Sequence, residues 1–131
     1  MSKSPAPKST SSRLPSLSVR IDLKPKGRIG PGKIQLLEEI RSTGSISAAG
    51  RAMAMSYKRA WDLVDELNRS CGRPAVARQT GGKNGGGATL TPFGVSLVER
   101  YRKIERAAAT AARAQLTALT SEISAKPRRG K

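Results

Sequence analysis

Histidine is absent from this chain, cysteine occurs once, as Cys71, and aromatic residues make up only 3% of it. Without an imidazole or a second thiol, there can be no disulfide framework, Cys/His zinc site, Cys-His dyad or Ser-His-Asp triad. Acidic residues are also scarce, nine among 131 and scattered, which argues against a carboxylate metal site. No apolar run approaches the roughly 18 to 20 residues that a membrane span needs. The opening MSKSPAPKSTSSR has none of the apolar character of a signal peptide. No internal repeat is found at any period. The expectation is a soluble protein of a reducing, cytoplasmic compartment, with no catalytic residues, cofactor, metal or membrane partner.

What the chain has in excess is positive charge. Its 25 Lys and Arg residues leave a formal charge of +16, and a balance so basic points to an anionic partner, nucleic acid first. The length allows one domain of ordinary size with tails. The ends, rich in Ser, Pro, Lys and Arg, have little to bury against the entropy of ordering.

Between the tails the periodicities change in a readable order. From Leu17 to Leu23, L-S-V-R-I-D-L alternates, placing Leu17, Val19, Ile21 and Leu23 on one face of a half-buried strand. After a break at 24–28, Gly30-Pro31-Gly32 leads into a helix with Ile34, Leu37 and Ile40 inward and Leu36 flanking, ended by Gly44. Ser45 then caps a short helix with Ile46, Ala49 and Met53 inward, and a tight turn follows at Ala54 and Met55. Ser56 caps the next helix. Its stripe is Ala60, Val64 and Leu67, with Trp61 and Leu63 at the margins and Lys58, Arg59, Asp62, Asp65 and Glu66 outside. Two helices joined in this way make a helix-turn-helix. Residues 75–80, a Gly-rich turn and 88–91 then read as a β-hairpin. Thr91 and Pro92 open a last helix that runs to about Ser124.

The first turn of the second bihelical element holds the residues that suit a duplex. A helix entering the major groove by its N-terminus brings its first-turn side chains to base edges and its positive dipole end to phosphate. Arg59 or Lys58 can pair with guanine, Ser56 can donate to a phosphate, and Tyr57 can stack on sugar or hydrogen-bond a phosphate. In the hairpin, Arg78, Lys83, Asn84 and backbone N–H groups around Gly82 suit the neighbouring phosphates; a merely flexible glycine turn is the plainer alternative. A Walker A loop fails here, since Lys83 is followed by Asn84. Trp61, beside the inward stripe, reads as core packing rather than a stacking platform, and Cys71 as a helix-end packing residue.

In the last helix Leu97, Tyr101, Ile104, Ala108 and Ala111 step by four and three. Ala112, Leu116, Leu119 and Ile123 continue one position later. A two-fold homodimer through this seam is expected, with Leu97, Tyr101, Ile104, Ala108, Ala111, Leu116 and Leu119 at the interface.

Three stretches carry a family resemblance: G-R-I-G-P-G-K-I-Q-L-L-E-E-I ending at Ile40, the run from Thr43 to Asn68 containing S-Y-K-R-A-W, and R-Q-T-G-G-K-N-G-G-G-A-T-L-T-P-F-G from Arg78 to Gly94. Together they resemble the N-terminal DNA-binding domain of the molybdate-responsive regulator family, ModE, itself similar to the winged heads of LysR-type regulators. The resemblance covers about residues 17 to 105. It implies a bacterial, dimeric winged helix-turn-helix transcriptional regulator, mainly α with a small β-sheet. Ser56, Tyr57, Lys58 and Arg59 would lie on its recognition helix, and Arg78, Gly82 and Lys83 on its wing. The expected organisation is a disordered basic tail at 1–16, the winged domain at 17–92, a dimerisation helix at 93–123 and a basic tail at 124–131. Full-length family members carry C-terminal molybdate-binding domains that have no counterpart in this sequence, so molybdate sensing is not expected of it. Double-stranded DNA is the expected partner. The alternatives are an architectural nucleoid-type protein with little sequence preference, or a protein-interaction module; an enzyme is the weakest option.

Overall fold

A computed structural model describes residues 15–79 and 87–124. Both predicted tails, apart from residues 15, 16 and 124, lie outside the described residues, as does the hairpin tip. The described part is mainly helical, with two small two-stranded sheets: β1 (Ile21–Asp22), β2 (Arg28–Ile29), α1 (Pro31–Thr43), α2 (Ile46–Ala52), α3 (Tyr57–Cys71), β3 (Val76–Gln79), β4 (Gly87–Leu90) and α4 (Pro92–Ser124). Ser18–Glu105 forms one compact unit, a winged helix-turn-helix. The described residues of the second unit, 15–17 and 106–124, include the remaining turns of α4.

Local chemistry accounts for the helix ends. Pro31 opens α1, where a missing N–H costs nothing, and the Gly44 N–H closes it on the Ile40 carbonyl at 2.7 Å. The Ser45 hydroxyl accepts from the Ala48 N–H, Ser56 from Arg59 and Thr91 from Gly94, each at 3.0 Å. All three caps fall where the sequence places them. The tight turn has Ala54 at φ +58, and the Met55 N–H reaches back to the Gly50 carbonyl at 2.9 Å. A Cβ on Gly50 would stand 3.2 Å from the Ala60 Cβ and 3.3 Å from the Met55 carbonyl oxygen, so glycine lets α2 and α3 close to this distance.

The core joins Ile34, Leu36, Leu37 and Ile40 of α1 to Ile46 and Ala49 of α2, and Ala60, Val64 and Leu67 of α3 to Val98 and Tyr101 of α4. Leu36, read as flanking, is fully buried. The hairpin is antiparallel, with Val76 opposite Leu90 and Arg78 opposite Ala88. The Ala88 N–H bonds to the Gly44 carbonyl at 2.9 Å, tying β4 to the end of α1.

Two boundaries differ from the sequence reading. The strand predicted over Leu17–Leu23 contracts to Ile21–Asp22, because its partner is a two-residue return strand, Arg28–Ile29, across a turn. Leu17 is exposed and precedes the compact unit, while Val19, Ile21 and Leu23 pack against the core. The division at 92/93 also moves. The first turns of α4 belong to the winged unit, as Gly94, Val98 and Tyr101 are buried there.

α4 is fastened to α1 by Arg102. Its Nε and Nη2 donate to the two Glu38 oxygens at 2.9 and 2.7 Å, and its Nη1 to Glu105 at 2.7 Å. The hydrogen bond from Arg102 holds the Glu38 carboxyl below its ordinary value despite partial burial. Because the unfolded chain binds that proton more tightly, the pair stabilises the fold above the ordinary carboxylate pKa. That contribution is lost as pH falls through the lowered folded value. Glu38→Gln should therefore lower the melting temperature at neutral pH and flatten its decline in acid, measured from pH 7 down to about 3.

Candidate nucleic-acid interface

The first turn of α3 is built around a satisfied cap. With Ser56 accepting from the Arg59 backbone, the side chains of Tyr57, Lys58 and Arg59 all remain exposed, Tyr57 at 53%. Core positions begin at Ala60 and recur at Val64 and Leu67, which sets the rotation of α3 and leaves its cationic start outward. Lys58 is paired with an acidic neighbour. Its Nζ lies 3.0 Å from Asp62 Oδ2, one turn along the same face. Arg59 forms no ion pair among the described residues; with Arg28, Lys33, Leu63, Glu66, Gly30 and Gly32 it lines a cleft between α3 and the start of α1.

The wing is anchored to this same helix by Asn68, which sequence reasoning missed. Its Oδ1 accepts from the Ala75 N–H at 2.8 Å and the Val76 N–H at 3.4 Å, and its Nδ2 donates to the Val76 carbonyl at 3.4 Å. From the other side the Thr91 N–H bonds to the Ala75 carbonyl at 3.0 Å and the Thr91 hydroxyl donates to the Pro74 carbonyl at 2.7 Å. A Cβ on Gly94 would stand 2.1 Å from the Ala75 oxygen, so only glycine lets α4 pass there. Asn68→Ala should leave the Ala75 donor unsatisfied and cost about 1 to 2 kcal/mol in chemical denaturation. Hydrogen exchange should rise first at Ala75 and Val76.

Arg78, on β3, is exposed, and its guanidinium carbon lies 4.4 Å from the centroid of the Trp61 ring. Trp61 is accordingly not the plain core residue expected of it. It is half-buried, with a cation over its face. Gly82, Lys83 and Asn84, the other predicted wing contacts, lie outside the described residues. Cys71 packs against the core at the end of α3, and burial pushes its thiol up against the opposing influence of Lys33, keeping it protonated.

The predicted dimer seam divides. Tyr101 is 1% exposed and its hydroxyl donates to the Val19 carbonyl at 2.6 Å, so it belongs to the core of the winged unit and is not available to a second copy. Leu97 is half-buried against that core too. Ile104 is exposed. In the second unit Ala111 and Leu119 are exposed, and Ala108 and Leu116 half-buried. One stripe of helical spacing thus serves the core in its first turns and is partly or fully exposed later.

Residues 32–95, which hold the bihelical unit, the wing and the start of α4, match the family described as bacterial regulatory helix-turn-helix protein, lysR family. The chain contains a LysR-type helix-turn-helix domain. Similar curated proteins include transcriptional regulator ModE of Haemophilus influenzae, 44% identical over 78 residues, which is 60% of this chain and 31% of that protein. Molybdenum-pterin-binding protein MopB of Rhodobacter capsulatus is 49% identical over 78 residues, 60% of this chain and 29% of that one. The chain thus spans under a third of the length of these relatives. Among solved structures, a CbnR_DBD–DNA complex superposes with a TM-score of 0.53 at 20% identity, covering 66% of this chain and 95% of that one. Full-length LysG of Corynebacterium glutamicum superposes at 0.51 with 26% identity, covering 72% and 30%. The LysR-type unit accounts for the order of elements from α1 to α4.

Proposed function

We propose that this chain is a sequence-specific, double-stranded-DNA-binding transcriptional regulator that acts as a homodimer, with α3 in the major groove and the wing on the adjacent backbone. It works without catalysis, in the cytoplasm at the nucleoid. The observation that carries this reading is the exposed cationic first turn of α3, whose cap is satisfied internally and whose helix is braced to the wing by Asn68. The formal charge of +16 supplies the phosphate attraction. The names of the relatives, transcriptional regulators among them, favour the same function. For the dimer, the support is the apolar surface that α4 leaves exposed at Ile104, Leu119 and Ile123.

The test is a salt titration of binding by fluorescence anisotropy, with sedimentation of the same samples. A dimer replacing on the order of eight counterions should give a slope of log K against log salt of about −7. Competition with mixed genomic DNA should reveal a preference for selected sites of roughly 10³ or more. Steep salt dependence without preference would favour an architectural DNA-coating protein instead, and a flat titration would remove the phosphate contacts from the account.

A further inference from the structure

Several cations on α3 and on the elements beside it are held by acids or by aromatic rings. Lys58 and Arg69 are paired with Asp62 and Asp65 one turn away. Arg102, on α4, lies 5.8 Å from the Tyr101 ring centroid, but three of its N–H donors are engaged by Glu38 and Glu105. Arg78 is different. Its guanidinium lies 4.4 Å from the centroid of the Trp61 ring, and among the described residues its side chain makes no hydrogen bond or ion pair. A stacked guanidinium engages an aromatic ring through its face and keeps its in-plane N–H donors available, which an ion pair does not. Trp61 also follows Tyr57 by four residues on α3, so the ring and the exposed phenol are neighbours on one side of the helix.

From this geometry we infer that Trp61 is a positioning residue for DNA binding: its ring holds Arg78 beside α3 with an open donor fork, ready to grip one backbone phosphate next to the groove that α3 occupies. The inference rests on the DNA-binding reading and adds to it a specific phosphate contact. Its physical basis is preorganisation. A long side chain loses rotamer freedom when it docks, and the ring removes that freedom before the duplex arrives. The fork geometry matches phosphate, so lysine at 78 would keep the charge and forgo both the stacking and the two-donor grip.

The experiment is a double-mutant cycle with the full chain, using a duplex recovered by the wild type from a randomised 30-base-pair pool. Arg78→Ala should weaken binding about tenfold and make the salt slope shallower by about 0.9 for each phosphate that is no longer neutralised. Trp61→Leu should weaken binding about fivefold with Arg78 present and less than about twofold in the Arg78→Ala background. Trp61→Phe, which keeps an aromatic face and guards against misfolding of the leucine variant, should stay within about twofold of wild type. Arg78→Lys should retain the salt slope and bind several-fold more weakly. Because Trp61 is the only tryptophan, its emission should change when the duplex binds, and change less in Arg78→Ala. Equal losses for Trp61→Leu in both backgrounds, or wild-type binding by Arg78→Lys, would overturn the positioning role while leaving the DNA-binding reading in place. If the wild type recovers no duplex from the pool and binds no mixed genomic DNA, that reading falls as well.

Discussion

Tyr101→Ala is expected to destabilise the winged unit by about 3 to 5 kcal/mol, the cost of removing a large, fully buried aromatic side chain. Set against a stability of roughly 5 to 15 kcal/mol for a domain of this kind, that is enough to unfold much of the population at moderate temperature. The cause lies in two contacts of different chemistry. The ring fills the space between the start of α4 and the core, and the hydroxyl reaches the Val19 carbonyl at 2.6 Å, tying a segment 82 residues earlier to the helix. Tyr101→Phe separates them: it should cost only about 1 kcal/mol, by leaving the carbonyl unpaired. Denaturant melts at several protein concentrations check the assignment. A loss that does not vary with concentration fits a residue within one chain, whereas a loss appearing only in the dimerisation constant would return Tyr101 to a seam between copies.

The second large effect concerns reading of the duplex. Arg59→Ala should reduce preference for a cognate over a scrambled site by about 1 to 3 kcal/mol, the range for a bidentate contact to guanine. Stability should move by less than about 0.5 kcal/mol, since the Ser56 cap uses the Arg59 backbone and the side chain is exposed. Lys58→Ala should lose less, because Asp62 already engages that ammonium at 3.0 Å. Affinities for both duplexes and a melting curve for each variant suffice. Equal losses on cognate and scrambled sites would make Arg59 a phosphate contact and move base reading elsewhere.

The parts of this fold that were legible in the sequence are those set by short-range rules. Ser45, Ser56 and Thr91 stand where a helix must start, and the stripe Ala60, Val64 and Leu67 sets the rotation of α3, hence the exposure of Tyr57, Lys58 and Arg59. What escaped has a long-range cause. Asn68 looks like an ordinary polar residue near a helix end until the chain returns seven and eight residues later to place Ala75 and Val76 against it. Glu38 and Arg102 are 64 residues apart, and neither carries a local signature of pairing. The return strand Arg28–Ile29 is too short for alternation to reveal. Tyr101 misled for a different reason: helical periodicity marks an apolar face without saying which surface covers it. Trp61 sat beside the inward stripe, and only the fold brings Arg78 over its ring.

The central claim is that the leading turn of α3 enters the major groove. Methylation interference on the selected duplex tests it most directly, because guanine N7 faces the major groove and adenine N3 the minor. N7 methylation at clustered guanines should block binding by the wild type, and at one of them the block should disappear in Arg59→Ala. Interference confined to adenine N3, or none at either position, would contradict the claim.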